Sequence, residues 1–444
     1  MKILIIGDNT CAELLSCKLA LANHDVTVIG ENRMRLTHIE EKADVTVIQS
    51  DLIKPSTFSE SGAYDTDIIL CVSLSDEKNL IACLLGRNVY HIPHTICCLS
   101  GELYKDQLAL MPYYHNHFVL NPNDIVAQHL VDLLDFPGSH EVVRLEMNNF
   151  AVINIPIQKD FPICGITITE LENQLCAPTQ ILAIIREDQT VPMQKGLKIQ
   201  HNDHMIFAQP QKRKLEVISK ITGKNNTYNN IMITGASSIT TTLLQEIQNG
   251  SFYITLIEKD IKKASLFADK FPTITVLHAD PNDTDLFESE SIEQKDVFFA
   301  LSNDDEDNLV SALQANTYKI PLIATLTSQP RLIPIIEKNQ IHAAIAPENM
   351  IAERIYYHVE HPQILSAQPL RKHGGQIIMI KIPQKLANKT VQDICLPLHA
   401  TCFGLQREGR ITNISGKTTF QANDIISLYI SDQNDLKSII ECFS

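Results

Sequence analysis

Two stretches of the chain repeat the same order of apolar and polar positions. In the first, an apolar run at residues 3–6 reaches Gly7, and a helical stretch then leads to a second β-branched run. In the second, the apolar run at residues 231–233 reaches Gly235 and the same order follows. Strand, glycine turn, helix and strand are the opening of a dinucleotide-binding fold, in which backbone N–H groups at a helix start face a phosphate.

The spacing between the two copies indicates a tandem duplication. Gly7 and Gly235 are 228 positions apart (235 minus 7), and Asp76 and Asp305 are 229 apart (305 minus 76). Later pairs, such as Asn202 and Asn423, are 221 apart (423 minus 202). A spacing that drifts so little along the whole chain is typical of a repeat architecture.

Each copy begins with alternating strand and helix patterns. In the first copy, strands are predicted at 45–49, 68–72 and 95–99, with the last of these closing the set, and a helix is predicted at 78–87. Such alternation favours a parallel sheet with helices on both faces. A further helix with an apolar stripe is predicted at 122–136, just before a Pro-Gly stop signal.

The pattern changes near residue 140. Short strands at 152–155, 180–186 and 204–209 are interleaved with helices at 168–173 and 213–221, which is typical of a small mixed module. The predicted fold class is therefore α/β: a tandem duplication of a Rossmann-like parallel-sheet N-lobe and a small mixed α+β C-lobe. The predicted domains are 1–139 and 225–365 for the N-lobes, and 140–224 and 366–444 for the C-lobes.

Composition excludes several classes of protein. The chain of 444 residues is 44% apolar and 20% charged, with a net charge of −15 and no long basic run, which argues against a nucleic-acid partner. No apolar run reaches the roughly 18 residues of a membrane helix, and the start is too short for a signal sequence, so we expect a cytosolic protein. The 11 cysteines form no C-x-x-C pair, so we expect reduced core thiols and no metal site.

Several phrases of the sequence resemble one known family. These are MKILIIG at the start, LIEKD at 256–260, HADPNDTDLF at 278–287 and ALSNDDEDNLVSALQA at 300–315. The chain resembles the TrkA family, the cytosolic regulatory subunits of bacterial Trk potassium-uptake systems. Members of that family carry two tandem RCK (or KTN) units, each with a dinucleotide-fold N-lobe and a small C-lobe.

The resemblance implies a regulatory function without a chemical step. It implies a nucleotide ligand, NAD/NADH or ADP/ATP, and a membrane-embedded Trk-type potassium pore subunit of the TrkH or TrkG kind as partner. It also implies a homo-oligomeric ring, expected to be a tetramer, lying peripherally on the cytosolic face of the inner membrane. Ligand binding would then gate the pore by shifting the population of ring states.

The candidate nucleotide-binding residues lie where predicted strands end. A glycine permits close backbone approach to a phosphate, and a carboxylate at the end of the second strand can accept ribose hydroxyls. In the second copy that acid is Glu258, whereas the first copy has Gly30 there and Glu31 one residue later. The candidates are Gly7, Asn9, Glu31, Asp51, Ser73, Gly235, Ser237, Ser238, Glu258, Asp280, Ser302 and Asn303.

Two departures from the family pattern lead us to expect unequal halves. The second and third glycines of the turn are absent, and on or after the fifth strand only Arg331 offers a cation. We therefore expect the second N-lobe, which keeps Glu258 in register, to be the working site. The alternatives are a nicotinamide-dependent oxidoreductase, or an RCK-type sensor of another small ligand such as cyclic di-AMP.

The helices predicted at 124–136 and 349–357 carry more apolar residues than one lobe should need. We expect them to pack across lobe or subunit interfaces. In the alternative, each helix simply covers its own sheet.

Overall fold

The computed structural model describes most of the chain. The described residues are 1–101, 117–145, 150–175, 179–187, 189–194, 196–223, 227–339, 341–360, 364–370, 375–394, 396–397, 399–408, 410–412, 414–432 and 435–443. The boundary predicted at 224 lies outside these residues.

The first N-lobe is a six-stranded parallel sheet between two helical layers. Its strands run in the spatial order β3-β2-β1-β4-β5-β6. β1 reads KILII and is almost entirely buried, as expected for a strand covered on both faces. The strands are β1 (Lys2–Ile6), β2 (Asp25–Gly30), β3 (Thr46–Gln49), β4 (Ile68–Cys71), β5 (His94–Cys98) and β6 (His117–Leu120), and the helices are α1 (Thr10–Leu21), α2 (Arg33–Lys42), α3 (Pro55–Glu60) and α4 (Asp76–Asn88).

A crossover helix, α5 (Pro122–Asp135), leaves this sheet and leads to the first C-lobe. Asn121 caps it by accepting hydrogen bonds from the N–H groups of Asn123 and Asp124. The C-lobe is a five-stranded sheet in the order β10-β9-β11-β8-β7 with antiparallel pairs. It contains β7 (Glu141–Leu145), β8 (Phe150–Pro156), α6 (Ile168–Leu175), β9 (Gln180–Arg186), β10 (Gln189–Val191), β11 (His204–Pro210) and α7 (Lys214–Thr222).

The second half repeats this plan. Its N-lobe sheet has the order β14-β13-β12-β15-β16-β17, and its C-lobe sheet has the order β18-β19-β22-β20-β21. The N-lobe contains β12 (Asn230–Thr234), α8 (Ser238–Ile247), β13 (Tyr253–Glu258), α9 (Ile261–Lys270), β14 (Thr275–His278), α10 (Thr284–Ser289), β15 (Val297–Ala300), α11 (Asp305–Thr317), β16 (Leu322–Leu326), α12 (Ile333–Lys338) and β17 (Ala343–Ile345). The crossover helix α13 (Pro347–Glu360) then precedes β18 (Ile364–Pro369), β19 (Gln376–Lys381), β20 (Ala400–Arg407), β21 (Arg410–Thr412), β22 (Ile425–Ile430) and α14 (Leu436–Phe443).

The duplicated α/β architecture predicted from the sequence is confirmed, but several strands were missed. The expectation that the strand at 95–99 closes the set was wrong, because β6 pairs with β5 as a sixth strand. β7 and the short edge strand β10 were also absent from the prediction. A strand of three to five residues carries too little alternation to be recognised. The boundary expected at 365 falls inside β18, whose sheet is that of the second C-lobe.

The two crossover helices are exchanged between the halves. Apolar residues of α5, among them Val126 and Leu130, belong to the buried cluster formed by the second N-lobe sheet and α8. Likewise Ile351 and Ile355 of α13 belong to the cluster of the first N-lobe sheet and α1. The prediction that these helices pack across lobes is confirmed, and the alternative that each covers its own sheet was wrong.

The C-lobes also meet through their sheets. One buried cluster joins residues of β7, β8, β9 and β11 to Met379 of β19, Phe403 of β20 and Tyr429 of β22. Each C-lobe buries its other face under its own helices, as Leu171 and Ile439 show. The two halves therefore share cores at both the N-lobe and the C-lobe level.

An acidic residue sits where α5 meets the first C-lobe. Asp132 is 5% exposed, contacts Arg144 of β7, and accepts a hydrogen bond from Gln128 at 2.9 Å. Burial raises the pKa of Asp132 to about 7, and this outweighs the opposite effect of Arg144. The carboxyl group therefore changes charge near neutral pH.

This pKa predicts a pH dependence of stability. Because the folded-state pKa lies above the unfolded value of 3.8, the contribution of Asp132 to stability is complete below that value and is lost as pH rises through about 7. We expect Asp132→Asn to lose less stability than the wild type between about pH 5 and pH 8, measured as urea midpoints. Asp269→Asn, at an exposed position near the end of the helix at 261–270, should keep the wild-type profile. Parallel profiles for wild type and Asp132→Asn would contradict the prediction.

Candidate functional site

Each N-lobe has a crevice at the carboxyl ends of its central strands. β1 lies between β2 and β4 in the first sheet, and β12 lies between β13 and β15 in the second. The chain leaves the sheet toward opposite sides at this point, which is where ligands of parallel α/β sheets bind. We call the two places the first crevice, at Gly7, and the second crevice, at Gly235.

The two glycines are required by close backbone contact. Gly7 has a φ of +136° and Gly235 a φ of +95°, a region that residues with a side chain rarely adopt. A Cβ at Gly7 would lie 3.0 Å from the backbone N of Ser73, and one at Gly235 would lie 2.4 Å from Cα of Ser302. The turn after the first strand thus packs directly against the loop after the fourth strand, and it brings predicted residues together in both crevices.

The second crevice contains a buried carboxylate that bonds the backbone after both β12 and β13. Glu258, which ends β13, is 6% exposed. Its Oε2 accepts a hydrogen bond from the N–H of Ala236 at 2.6 Å, and its Oε1 accepts one from the N–H of Asp260 at 2.8 Å. Each carboxylate oxygen has a second lone pair, so Glu258 can still accept two hydroxyl donors from a ligand.

The first crevice contains a carboxylate in a similar place, but it follows the first strand of the half instead of ending the second strand. Asp8 follows Gly7, and its Oδ2 accepts hydrogen bonds from the N–H groups of Glu31 and Asn32 at 2.8 and 2.7 Å. Gly30 stands where Glu258 stands in the repeat, and a Cβ there would lie 2.7 Å from Cβ of Asp8. The acid and the small residue have therefore exchanged positions between the halves.

The loops after the fourth strands are held by buried asparagines. Ser73 donates from its N–H to Oδ1 of Asn79 at 2.8 Å, and Ser302 does the same to Asn308 at 2.8 Å. The hydroxyl of Ser73 also lies within hydrogen-bond distance of Oδ1 of Asn79, at 2.7 Å, and of the carbonyl of Ser75, at 3.2 Å. The hydroxyl of Ser302 donates to the equivalent carbonyl, that of Asp304, at 3.1 Å. These bonds fix the loops against the glycine turns.

Three predicted residues of the glycine turns occupy helix starts. Asn9 caps α1, accepting from the N–H of Ala12 at 3.0 Å and donating to the carbonyl of Val72 at 2.6 Å. Ser237 caps α8 in the same way. Ser238 donates a 3.3 Å hydrogen bond to Oδ1 of Asn123 on α5, so the second glycine turn is bonded directly to the exchanged helix of the first half.

The remaining predicted residues lie in exposed loops at the rim. Asp51 and Asp280 follow β3 and β14, and each accepts a hydrogen bond from the N–H two residues later, at 3.1 and 2.9 Å. Asn303 is exposed in the loop before α11. The structure therefore places these three near the crevices without tying them to the glycine turns.

In each crevice an ion pair joins residues that follow two different strands. The lysine of each pair was not among the residues predicted from the sequence. Lys78, in the first turn of α4, donates to Oε1 of Glu31 at 2.5 Å. In the second half Lys259, just after β13, pairs with Asp307 of α11. Arg331, the cation expected from the sequence, instead bonds Gln329 of its own loop.

The repeat itself carries a signal for these pairs. Position 31 corresponds to 259 and position 78 to 307, so the two charges are inverted between the halves. The paired carboxylate raises the pKa of each lysine, with further contributions from Asp8 and Asp51 in the first crevice and from Asp304 and Asp280 in the second. An alignment of the two halves on charge would have found both pairs.

The arrangement is suited to binding a ligand. It combines a helix start behind a glycine turn, a buried carboxylate able to accept two hydroxyls, and one ammonium group at the mouth. This donor and acceptor set fits a phosphate and a ribose. Among the described residues, no group of three or more His, Cys, Asp or Glu side chains is arranged to hold a metal ion.

Fold and site together define a class: tandem proteins with two Rossmann-type crevices and two small C-lobes that share cores across the halves. The TrkA-N domain family matches this chain twice, at residues 3–112 and 231–347. The chain belongs to the TrkA-N domain family.

Known relatives cover the chain from end to end. It is 24% identical over 455 residues to the Trk system potassium uptake protein TrkA of Vibrio alginolyticus, with 100% of this chain and 98% of the relative aligned. The crystal structure of the GsuK RCK domain superposes with a TM-score of 0.65 at 16% identity, covering 100% of this chain and 94% of that one. The GsuK channel bound to NAD gives a TM-score of 0.64 at 15% identity, covering 100% and 78%.

These likenesses confirm the family resemblance and the RCK-type fold. None of the helices in the described segments has the length and apolar character needed to cross a bilayer.

Proposed function

We propose that this chain is the regulatory subunit of a Trk-type potassium uptake system. It lies in the cytoplasm, peripheral to the inner membrane, and binds NAD(H) or ADP/ATP in its N-lobe crevices. The bound nucleotide changes the state of a homo-oligomeric ring, a tetramer on a TrkH- or TrkG-like pore subunit, and so gates potassium flux. The full-length relative named as a Trk potassium uptake protein and the RCK structure bound to NAD support this proposal.

One observation carries the nucleotide proposal: the buried Glu258 carboxylate faces the Gly235 turn across the second crevice. A ribose laid against this carboxylate places its phosphates over the glycine turn and the start of α8. We propose Gly235, Ser237, Ser238, Glu258, Ser302 and Asn303, with Asp280 at the adenine side, as the second site. Gly7, Asn9, Asp51 and Ser73 line the corresponding first site, and Glu31 lies at its mouth, paired with Lys78.

The exchanged helices provide a route from ligand to assembly. Ser238 at the second glycine turn bonds Asn123, and α5 then runs through the second N-lobe core to the first C-lobe. A nucleotide that shifts the start of α8 therefore changes the packing between the halves. Such a ligand moves the ring only by its difference in affinity for the two ring states.

Substitution of Glu258 tests the site. Glu258→Gln keeps the shape but removes the charge, so we expect NADH and ADP affinity at the second crevice to fall about tenfold or more. Alanine is a poorer choice, because it would leave the N–H groups of both Ala236 and Asp260 without their buried acceptor, whereas glutamine keeps an acceptor for one of them. Isothermal titration of wild type, Glu258→Gln and Glu31→Gln compares the two positions.

Three outcomes bear on the proposal. Equal losses for the Glu258 and Glu31 variants would contradict the assignment of the second crevice as the working site. The wild type should bind NADPH more weakly than NADH, because Glu258 repels a 2′-phosphate. Oxidation of NADH above the blank in the same samples would favour the oxidoreductase alternative.

A further inference from the structure

We propose that the ion pairs Glu31–Lys78 and Lys259–Asp307 are opened by the ligand, and that the lysine of each pair then binds the nucleotide phosphates. We call these the cross-crevice pairs. This inference rests on the proposed nucleotide binding and concerns how each crevice receives its ligand.

Each cross-crevice pair joins residues that follow the two strands on either side of the central strand of its sheet. Glu31 follows β2, and Lys78 begins the helix that follows β4, while β1 with its Gly7 turn lies between these strands. The 2.5 Å contact between Lys78 and Glu31 therefore passes over the carboxyl end of β1. A phosphate bound at the glycine turn would lie at this same edge of the sheet. The Lys259–Asp307 pair spans the second sheet in the same way.

The stability of α4 does not explain why a lysine stands at position 78. A cation in the first turn of a helix meets the positive end of the helix dipole, which is unfavourable. Asp76 and Glu77 precede it as favourable acids, and Ser75 caps the helix through the N–H of Lys78. The ammonium group gains its stabilisation from Glu31 across the crevice, and it would gain more from a bound phosphate.

The positions of the lysine and the carboxylate are inverted between the two halves. In the first crevice the lysine comes from the helix after the fourth strand, and in the second it comes from the end of the second strand. Both arrangements place one ammonium and one carboxylate across the mouth, although every residue differs. An ammonium at the mouth is therefore common to the two crevices, whichever element supplies it.

Separating the two charges of either ion pair costs little free energy. The side chain of Lys78 is 33% exposed and that of Lys259 is 54% exposed, so both ammonium groups reach solvent, and an ion pair open to solvent contributes little to stability. A diphosphate offers the ammonium a doubly charged acceptor over a helix start, so exchange of partners favours the ligand. Of the carboxylates left behind, Glu31 turns to solvent, and Asp307 keeps the hydrogen bond that it accepts from Asn282 at 2.9 Å.

A ligand series with matched variants tests the inference. The wild type should bind ADP more tightly than adenosine, and Lys78→Met should reduce this advantage about tenfold at the first crevice, as Lys259→Met should at the second. Glu31→Gln and Asp307→Asn should tighten ADP binding and leave adenosine binding unchanged. Lys262→Met, which removes an exposed lysine in the first turn of α9, is the control for net charge.

Hydrogen exchange at residues 7–9 and 235–237 assigns each effect to a crevice. If the wild type binds neither ADP nor NADH, the proposed function itself fails. If the wild type binds ADP but Lys78→Met weakens adenosine as much as ADP, the lysine is only structural and the inference is overturned. Weaker ADP binding by Glu31→Gln would equally overturn it, since Glu31 would then be a direct ligand contact.

Discussion

Replacing Leu130 by alanine is expected to destabilise the second N-lobe, although Leu130 belongs to the first half of the sequence. Leu130 is fully buried among residues of the second sheet and α8. Truncation of such a leucine removes buried apolar surface and leaves a cavity, at a cost of about 2–5 kcal/mol. Denaturant unfolding should show this loss, and hydrogen exchange should show it in β12, β13 and β15.

Two variants make this prediction specific. Leu266→Ala, in α9 of the same lobe, removes a side chain that is 60% exposed and should change stability little. Ile355→Ala, in the other exchanged helix, should loosen β1, β2 and β4 of the first N-lobe instead. If Leu130→Ala loosened the first sheet and spared the second, the exchange of helices would be contradicted.

Gly235→Ala is expected to disrupt the second crevice. The new Cβ would lie 2.4 Å from Cα of Ser302, a backbone atom that can move only with its loop, and the φ of +95° is strained for alanine. We expect a stability loss of about 1–3 kcal/mol from backbone strain, with the steric clash adding to it, and loss of nucleotide binding at this crevice. Thermal unfolding and titration with ADP measure the two effects.

The control separates the clash from the backbone strain. Gly62 has a φ of +75°, and a Cβ there would meet nothing within 4 Å. Gly62→Ala should therefore cost stability through its φ alone and leave ADP binding intact. Similar ADP affinities for Gly235→Ala and Gly62→Ala would show that the close approach of Gly235 to Ser302 does not shape the site.

The duplicated fold was predictable because its signals are local. Apolar runs ending at Gly7 and Gly235 define the central strands, and the constant spacing between the copies identifies the repeat. The apolar stripe at 122–136 indicated a helix with too much apolar surface for one lobe. Which lobe it covers depends on contacts between residues such as Leu130 and Leu243, which are 113 positions apart (243 minus 130), and no local pattern specifies that.

The site was predictable only in part, for a different reason. Glu258 stands in register, so its place at the strand end followed from the sequence. The compensating carboxylate of Asp8 did not, because it requires Gly30 to lack a side chain at a distant point of the chain. The lysines of the cross-crevice pairs were overlooked because each residue looks ordinary until its partner across the sheet is known.

We propose that nucleotide bound in these crevices regulates a potassium pore. The most direct measurement is potassium flux through a Trk-type pore subunit reconstituted in liposomes, with and without this chain, while NADH or ADP is varied. We predict that nucleotide changes the flux only when the chain is present, and that the change is lost with Glu258→Gln. A flux that responds to the chain but is the same at every nucleotide concentration would contradict the claim.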